Sequence, residues 1–288
     1  MKNIILYEEF SDGLIRLREI LESLEANPIA NIEIYNRNME ASYPDKLFFL
    51  DIINPDVIVD FGCADGTILS KIKEKNPEVK LIGYDLSKTM LAKAKDKLGP
   101  DALLTDSWEE VQSELSSYSE PALVLSSVIH EVYSYSHPKE VKKFWENKVF
   151  GGDFKWIVIR DMIPSVEMSR GEASEFKDDV EKVKSVADPK YLKSYEEKWD
   201  DIGSSYKFLA HFLLKYKFTD NWSREVAENY LPLSLETLYK KIPPGYEIIF
   251  EDNFVLPYLK KEVKKDFDVD IKHTTHAKMI IENKNFEK

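Results

Sequence analysis

Four carboxylates, a glycine-bearing turn and a histidine–glutamate pair are the residues of this 288-residue chain whose types and spacing suit chemistry. The turn reads Asp60-Phe61-Gly62-Cys63-Ala64-Asp65-Gly66. Its glycines let a ligand come close to the backbone, and such a turn aims backbone N–H groups and a helix N-terminus at that ligand. A dinucleotide site asks for G-x-G-x-x-G, but Ala64 and Thr67 stand where the second and third glycines belong. The acids Asp60 and Asp65 would repel a pyrophosphate. They suit a cofactor that carries a positive centre and an ammonium group. Asp85 is placed to accept hydrogen bonds from both hydroxyls of a ribose. Further on, SSVIHEVYSY at 126–135 supplies acid–base candidates. His130 is suited to take a proton from an acceptor hydroxyl or amine, and Glu131 to fix its tautomer or act itself. Arg160 is suited to bind a carboxylate or phosphate of an acceptor, or to pair with the adjacent Asp161.

These residues need elements to position them. Val57-Ile58-Val59 reads as a strand buried on both faces. A helix follows from Thr67, with Ile68, Leu69 and Ile72 inward, and Asn76-Pro77 ends it. Lys80–Tyr84 forms the next strand and closes on Asp85. Ser87 caps a helix whose inner face is Met90, Leu91, Ala94 and Leu98, ended by Gly99-Pro100. A short strand, Ala102–Thr105, leads to Asp106, and Ser107 with Glu110 forms a capping box. Strands at Ala122–Ser126 and Trp156–Arg160 flank a helix at 138–149. Residues 164–239 are helical in period and rich in aromatics. Pro243-Pro244-Gly245 returns the chain to strands at Tyr246–Phe250 and Ala277–Ile281, separated by a helix at 256–267.

The motifs VDFGCADG at 59–66, GYD at 83–85 and TDS at 105–107 resemble those of the class I S-adenosylmethionine-dependent methyltransferases. The resemblance covers roughly residues 30 to 161 and the last strands. It implies an α/β, Rossmann-like, seven-stranded, mostly parallel sheet with helices on both faces and one antiparallel strand. It implies S-adenosyl-L-methionine as cofactor. The turn residues Asp60, Gly62, Cys63, Ala64, Asp65 and Gly66 would hold the methionine end, Asp85 the ribose, and Asp106 with Ser107 the adenine side. Leu86 and Met90 would flank the adenine ring, and Ser126 would close the site from the fourth strand. Four segments are expected: an N-terminal helical cap at 1–53, a cofactor-binding core at 54–161, a helical insert or lid for acceptor recognition at 162–240, and C-terminal strands completing the core at 241–288. Tyr35 and Arg37 in the cap would reach the cofactor carboxylate or the acceptor.

The acceptor class is read from composition. A net charge of −12 argues against indiscriminate nucleic-acid binding. The N/D-P-P-Y signature of amino-directed nucleic-acid methyltransferases is absent after the fourth strand. A small-molecule or metabolite acceptor, methylated on O or N, is therefore the first expectation. RNA is the alternative, because His211, Lys215, Lys217, Trp222, Arg224, Glu225 and Tyr230 mix bases with aromatics. A non-catalytic partner subunit that keeps the fold is the third reading, and the helical segments equally suit a dimer interface. His273 and His276 lie three apart without a supporting ligand cluster, so no metal is expected. No run of apolar residues reaches membrane-spanning length. The one cysteine, Cys63, fits a reducing, cytoplasmic setting.

Overall fold

The computed structural model describes residues 45–169 and 175–287. The first 44 residues of the expected cap, with Tyr35 and Arg37, lie outside them. Seven strands form one sheet in the order β3-β2-β1-β4-β5-β7-β6. They are β1 (Val57–Phe61), β2 (Lys80–Tyr84), β3 (Ala102–Thr105), β4 (Pro121–Ser126), β5 (Trp156–Asp161), β6 (Tyr246–Phe254) and β7 (His276–Asn283). The first five are parallel, with β1 in register as Val59 beside Ile82 of β2 and Leu123 of β4. Strand β7 runs against its neighbours. The Asn283 N–H at its end bonds to Lys155 O, before the start of β5, and the Thr275 N–H at its start bonds to Phe254 O, the end of β6.

Connections in the parallel half are helical: α1 (Thr67–Lys75), α2 (Lys88–Leu98), α3 (Trp108–Leu115), α4 (Ile129–Tyr135) and α5 (Pro138–Lys143). A π-helical stretch, Phe144–Val149, continues α5 where one long helix is expected. All five residues of β1 and all six of β4 are buried, as strands covered on both faces require. The expected capping box is varied. Ser107 Oγ accepts the Glu110 N–H at 3.3 Å, but the Ser107 N–H goes to Thr105 Oγ1, whose hydroxyl in turn meets Glu110.

The chain divides into two compact units. The first holds residues up to 160 with 242–251 and 279–288. Its core includes Ile58, Leu69, Ile72, Leu81, Val124, Val158 and Ile280. The second holds 161–241 with 252–278. It is built from α6 (Lys177–Val186), α7 (Pro189–Lys198), α8 (Tyr206–Tyr216), the short α9 (Trp222–Glu225) and α10 (Leu235–Tyr239), and α11 (Pro257–Phe267). Residues 252–278 differ from the expected division, which groups 241–288 with the sheet. The reason is apolar: Leu259, Val263 and Phe267 of α11 pack in one core with Tyr195, Leu209, Phe212 and Leu213.

Candidate active site

In an open α/β sheet, ligands bind beyond the carboxyl ends of the strands, where the strand order reverses. Here the reversal lies between β1 and β4. The chain leaves β1 through the glycine turn, with Gly62 at φ +77° and Gly66 at φ +73°. Both conformations are costly for any residue with a Cβ. At Gly62 a Cβ would also stand 2.7 Å from Val128 Cγ2. Thus the turn lies directly against the segment that follows β4 and leads, through Val128, to His130.

The turn's N–H groups are largely used within the protein, contrary to the expectation that they are aimed at a ligand. Gly62 and Cys63 donate to Tyr84 O at 2.7 and 3.1 Å, and Gly66 donates to Cys63 O at 2.9 Å. Ala64 donates to Asp85 Oδ2 at 2.8 Å. A pyrophosphate would need those donors. The Cys63 side chain packs down, its Sγ 2.8 Å from where a Cβ on Gly83 would lie. Burial pushes its thiol pKa up, and Asp60 and Asp85 add to the effect. Asp65 is also committed: its Oδ1 accepts the Thr67 N–H and hydroxyl, and Lys97 meets its Oδ2 at 2.6 Å. Burial opposes ionisation of Asp65, but Lys97 and Thr67 outweigh it and hold its pKa down.

Asp60 is different. It is 1 % exposed, and its Oδ2 has no hydrogen-bond partner. Its pKa is pushed up to about 7, first by burial, with Lys46 pulling it down and Asp85 adding repulsion. A buried carboxylate oxygen without a donor is costly unless something supplies one. An ammonium group fits that need, and a phosphate does not.

Asp85 follows β2. Its Oδ1 accepts the Ser87 N–H at 2.9 Å, which with the Ala64 contact locks the carboxylate between the turn and α2. The Asp85 N–H bonds to Thr105 O, so Asp85 and Asp106 end adjacent strands. Leu86 and Met90 are half-buried at the start of α2, and Asp106 and Ser107 half-buried at the start of α3. Ser126 ends β4 beside Arg160, with its hydroxyl buried and without a partner.

His130 is buried in the first turn of α4 and Glu131 beside it is half-buried. Arg160 is buried and its guanidinium is engaged: Nε and Nη2 each stand 2.9 Å from Asp45 Oδ2, and Nη1 donates to Ser127 Oγ at 3.3 Å. The Ser127 N–H returns to Arg160 O at 2.8 Å. These two bonds hold Ser127 at φ +58°, a strained conformation for serine. Arg160 therefore shapes the loop after β4 instead of facing an acceptor anion.

Two lysines escape the sequence reading. Lys46 is 4 % exposed and its charge acts on Asp60. Nothing in its neighbourhood, Asp45-Lys46-Leu47-Phe48, signals this. Lys148 is buried, bonds to Tyr84 Oη at 3.1 Å and lies over the Phe61, Tyr84 and Trp108 rings. Burial lowers its pKa to about 8, with Glu109 opposing. Its signal was present: Lys148 falls on the apolar face of Val141, Phe144 and Trp145.

In the second unit the residues considered for nucleic acid are consumed internally. Lys217 pairs with Glu262 and Asp266, Arg224 with Glu228, and Trp222 Nε1 donates to Ser194 Oγ. His273 packs edge-on against Tyr206, and His276 Nδ1 meets Thr275 Oγ1. Among the described residues, no group of three or more His, Cys, Asp or Glu is placed to hold a metal ion. No helix among them is long and apolar enough to cross a membrane.

Residues 59–148 match the family model of a methyltransferase domain. No curated protein matches the chain. Among solved structures, the plantazolicin methyltransferase BamL, in complex with a triazolic desmethylPZN analog and SAH, is similar at 13% identity and TM-score 0.45, over 95% of this chain and 97% of that one. The cyclopropane synthase MmaA2 from Mycobacterium tuberculosis is similar at 11% identity and TM-score 0.44, over 84% of this chain and 83% of that one. The fold assignment rests on the strand order and the family match.

Proposed function

We propose that this chain, whose residues 59–148 match a methyltransferase domain, is a class I, S-adenosylmethionine-dependent methyltransferase that methylates an oxygen or nitrogen of a small-molecule acceptor. Bound S-adenosylmethionine supplies a methyl already activated on a sulfonium. Asp60 would meet its positive end, Asp85 its ribose, and Leu86, Met90, Asp106 and Ser107 its adenine. The protein's remaining tasks are alignment and proton removal. His130 takes the acceptor proton as the new bond to carbon forms, and Glu131 sets its tautomer. Arg160 acts on them indirectly, by holding Ser127 and so the loop that carries His130.

The observation that carries the acceptor reading is the state of the basic residues in the second unit. A surface that grips RNA needs cations free to meet phosphates. Lys217 and Arg224 are in ion pairs, and Lys215 is buried. Tritiated S-adenosylmethionine and the purified protein, added to a cell extract, test this. Label in the low-mass fraction, insensitive to ribonuclease, is the expected result. Label that precipitates with RNA and is released by ribonuclease overturns it. In the same assay His130→Ala lowers transfer about 100-fold while affinity for S-adenosylhomocysteine is unchanged. An unaffected rate removes His130 from the mechanism.

A further inference from the structure

Lys148 is a buried ammonium that the proposed reaction does not use. It lies in the π-helical stretch Phe144–Val149, where the Phe150 N–H reaches back five residues to Trp145 O at 2.9 Å. Such wide turns are rare and cluster at functional sites. Lys148 Nζ donates to Tyr84 Oη at 3.1 Å. It also stands 4.8 Å from the centroid of the Tyr84 ring, 5.2 Å from that of Trp108 and 5.4 Å from that of Phe61. The three rings touch one another, with centroids 4.9, 5.2 and 5.5 Å apart. A cation over aromatic faces is attracted to each of them, and more strongly where water is excluded.

The rings come from three different segments. Each is the chain neighbour of residues assigned above to the cofactor: Phe61 stands between Asp60 and Gly62, Tyr84 precedes Asp85, and Trp108 follows Ser107. Phe61 and Asp60 are successive residues of β1, so their side chains point to opposite faces of the sheet. The ammonium thus works from the face away from Asp60, through the rings. We propose that Lys148 is a positioning residue whose ammonium ties the ends of β1 and β2 and the start of α3 into the arrangement that receives the cofactor. This deepens the cofactor reading and rests on it. Without the charge the three segments keep their apolar packing and lose the attraction that sets their spacing. The binding-competent arrangement is then less populated, and apparent affinity falls by that fraction.

Lys148→Met keeps an unbranched side chain of similar reach and removes the charge. Its urea unfolding shows stability equal to or above that of wild type, because an apolar group replaces a desolvated ammonium. Calorimetry at pH 7.5 shows affinity for S-adenosylhomocysteine about tenfold below wild type. Unchanged affinity overturns the proposal. A second pH separates charge from shape. Burial lowers the Lys148 pKa to about 8, with Glu109 of α3 opposing, and the Tyr84 hydroxyl of β2 is the other titratable group against it. At pH 9.5 the wild-type lysine is largely neutral, so the advantage over Lys148→Met shrinks to about twofold or less. The amine of the ligand titrates alike against both proteins and drops out of the ratio. A ratio that stays constant assigns the effect to packing and overturns the role of the charge. Because a variant can misfold, wild type alone provides an independent arm with 5′-methylthioadenosine, which has neither amine nor carboxylate. Its affinity falls about fivefold from pH 7.5 to 9.5, and a constant affinity overturns the proposal. If wild type binds neither adenosyl ligand, the cofactor reading itself falls, and the proposal with it.

Discussion

Asp60 in the first unit and Lys215 in the second are both charges taken out of water, and burial pushes both pKa values to about 7, from opposite directions. Their surroundings differ. Lys215 is 0 % exposed, and its ammonium donates to Glu225 O at 2.5 Å and to Glu228 O, with the Tyr230 ring 3.9 Å away. Next to it His211 is equally complete. Its Nε2 accepts the Tyr230 N–H at 3.0 Å, which leaves the proton on Nδ1, 2.8 Å from Tyr195 Oη, whose hydroxyl is then free to donate to Phe208 O. Burial keeps His211 neutral, its pKa well below the usual histidine range, and Lys215 adds to that. Both groups find their partners within their own chain. Asp60 has an oxygen with none. A buried charge satisfied by its own chain is a structural device, and one left incomplete is a candidate for ligand binding.

Stability tests that contrast first. Lys215→Met removes the ammonium and leaves the Glu225 and Glu228 carbonyls without their donor. It costs about 3 kcal/mol of unfolding free energy in a urea titration. Asp60→Asn keeps the shape and removes the charge that burial penalises, so stability is unchanged or rises. A loss above about 1 kcal/mol in Asp60→Asn would place its carboxylate among the structural charges.

Ligand affinity runs the other way. Asp85→Ala deletes the proposed ribose acceptor and frees the N–H groups of Ala64 and Ser87 that hold the turn against α2. The expected loss in calorimetry with S-adenosylhomocysteine is about 2–3 kcal/mol, near 100-fold. Asp60→Asn leaves the turn intact and removes one charged contact, so its loss at pH 8 is smaller, about tenfold. An Asp60→Asn protein that binds as tightly as wild type would mean that the orphan oxygen serves no ligand.

How much of this was legible in the sequence follows from the range of each interaction. The β-α-β unit was readable because its signals are local: an apolar run, two glycines, Asn76-Pro77, and an acid at the end of the second strand. Gly62, Gly66 and Asp85 stand where that pattern put them. The fate of the turn's N–H groups was not readable. Gly62 and Cys63 donate to Tyr84 O on the neighbouring strand and Ala64 to Asp85 beyond it, and no local pattern records such pairings. Lys46 is hidden for the same reason, since what matters is its distance from Asp60 and the grip of Arg160 on Asp45. Lys148 interrupts an apolar helical face and was visible in principle. For His211, Lys215 and Arg224 the residue types were plain, but only the fold supplies the partners that turn a basic, aromatic segment into a self-satisfied core.

The smallest effect is the most direct reading of the difference between the two charges. In the ligand-free protein Asp60 ionises near pH 7, because burial raises its pKa from 3.8. Between those values the folded state holds a proton that the unfolded state has lost, so this group's contribution makes the fold less stable as pH rises from about 4 to 7. Lys215 works in the opposite sense. Its folded pKa of about 7 lies below the ordinary 10.5, so between those values the unfolded chain binds more protons and stability rises with pH. Of the two, only Asp60 should carry its titration into binding. An ammonium beside it favours the ionised form, so S-adenosylhomocysteine binding releases a proton and tightens with pH until Asp60 is already ionised. Between pH 6.5 and 7.5 the affinity rises about threefold, the change in ionised fraction for a pKa near 7. Asp60→Asn flattens that rise while Lys215→Met leaves it in place. A slope that survives in Asp60→Asn would assign the titration to another group and remove the charge of Asp60 from cofactor recognition.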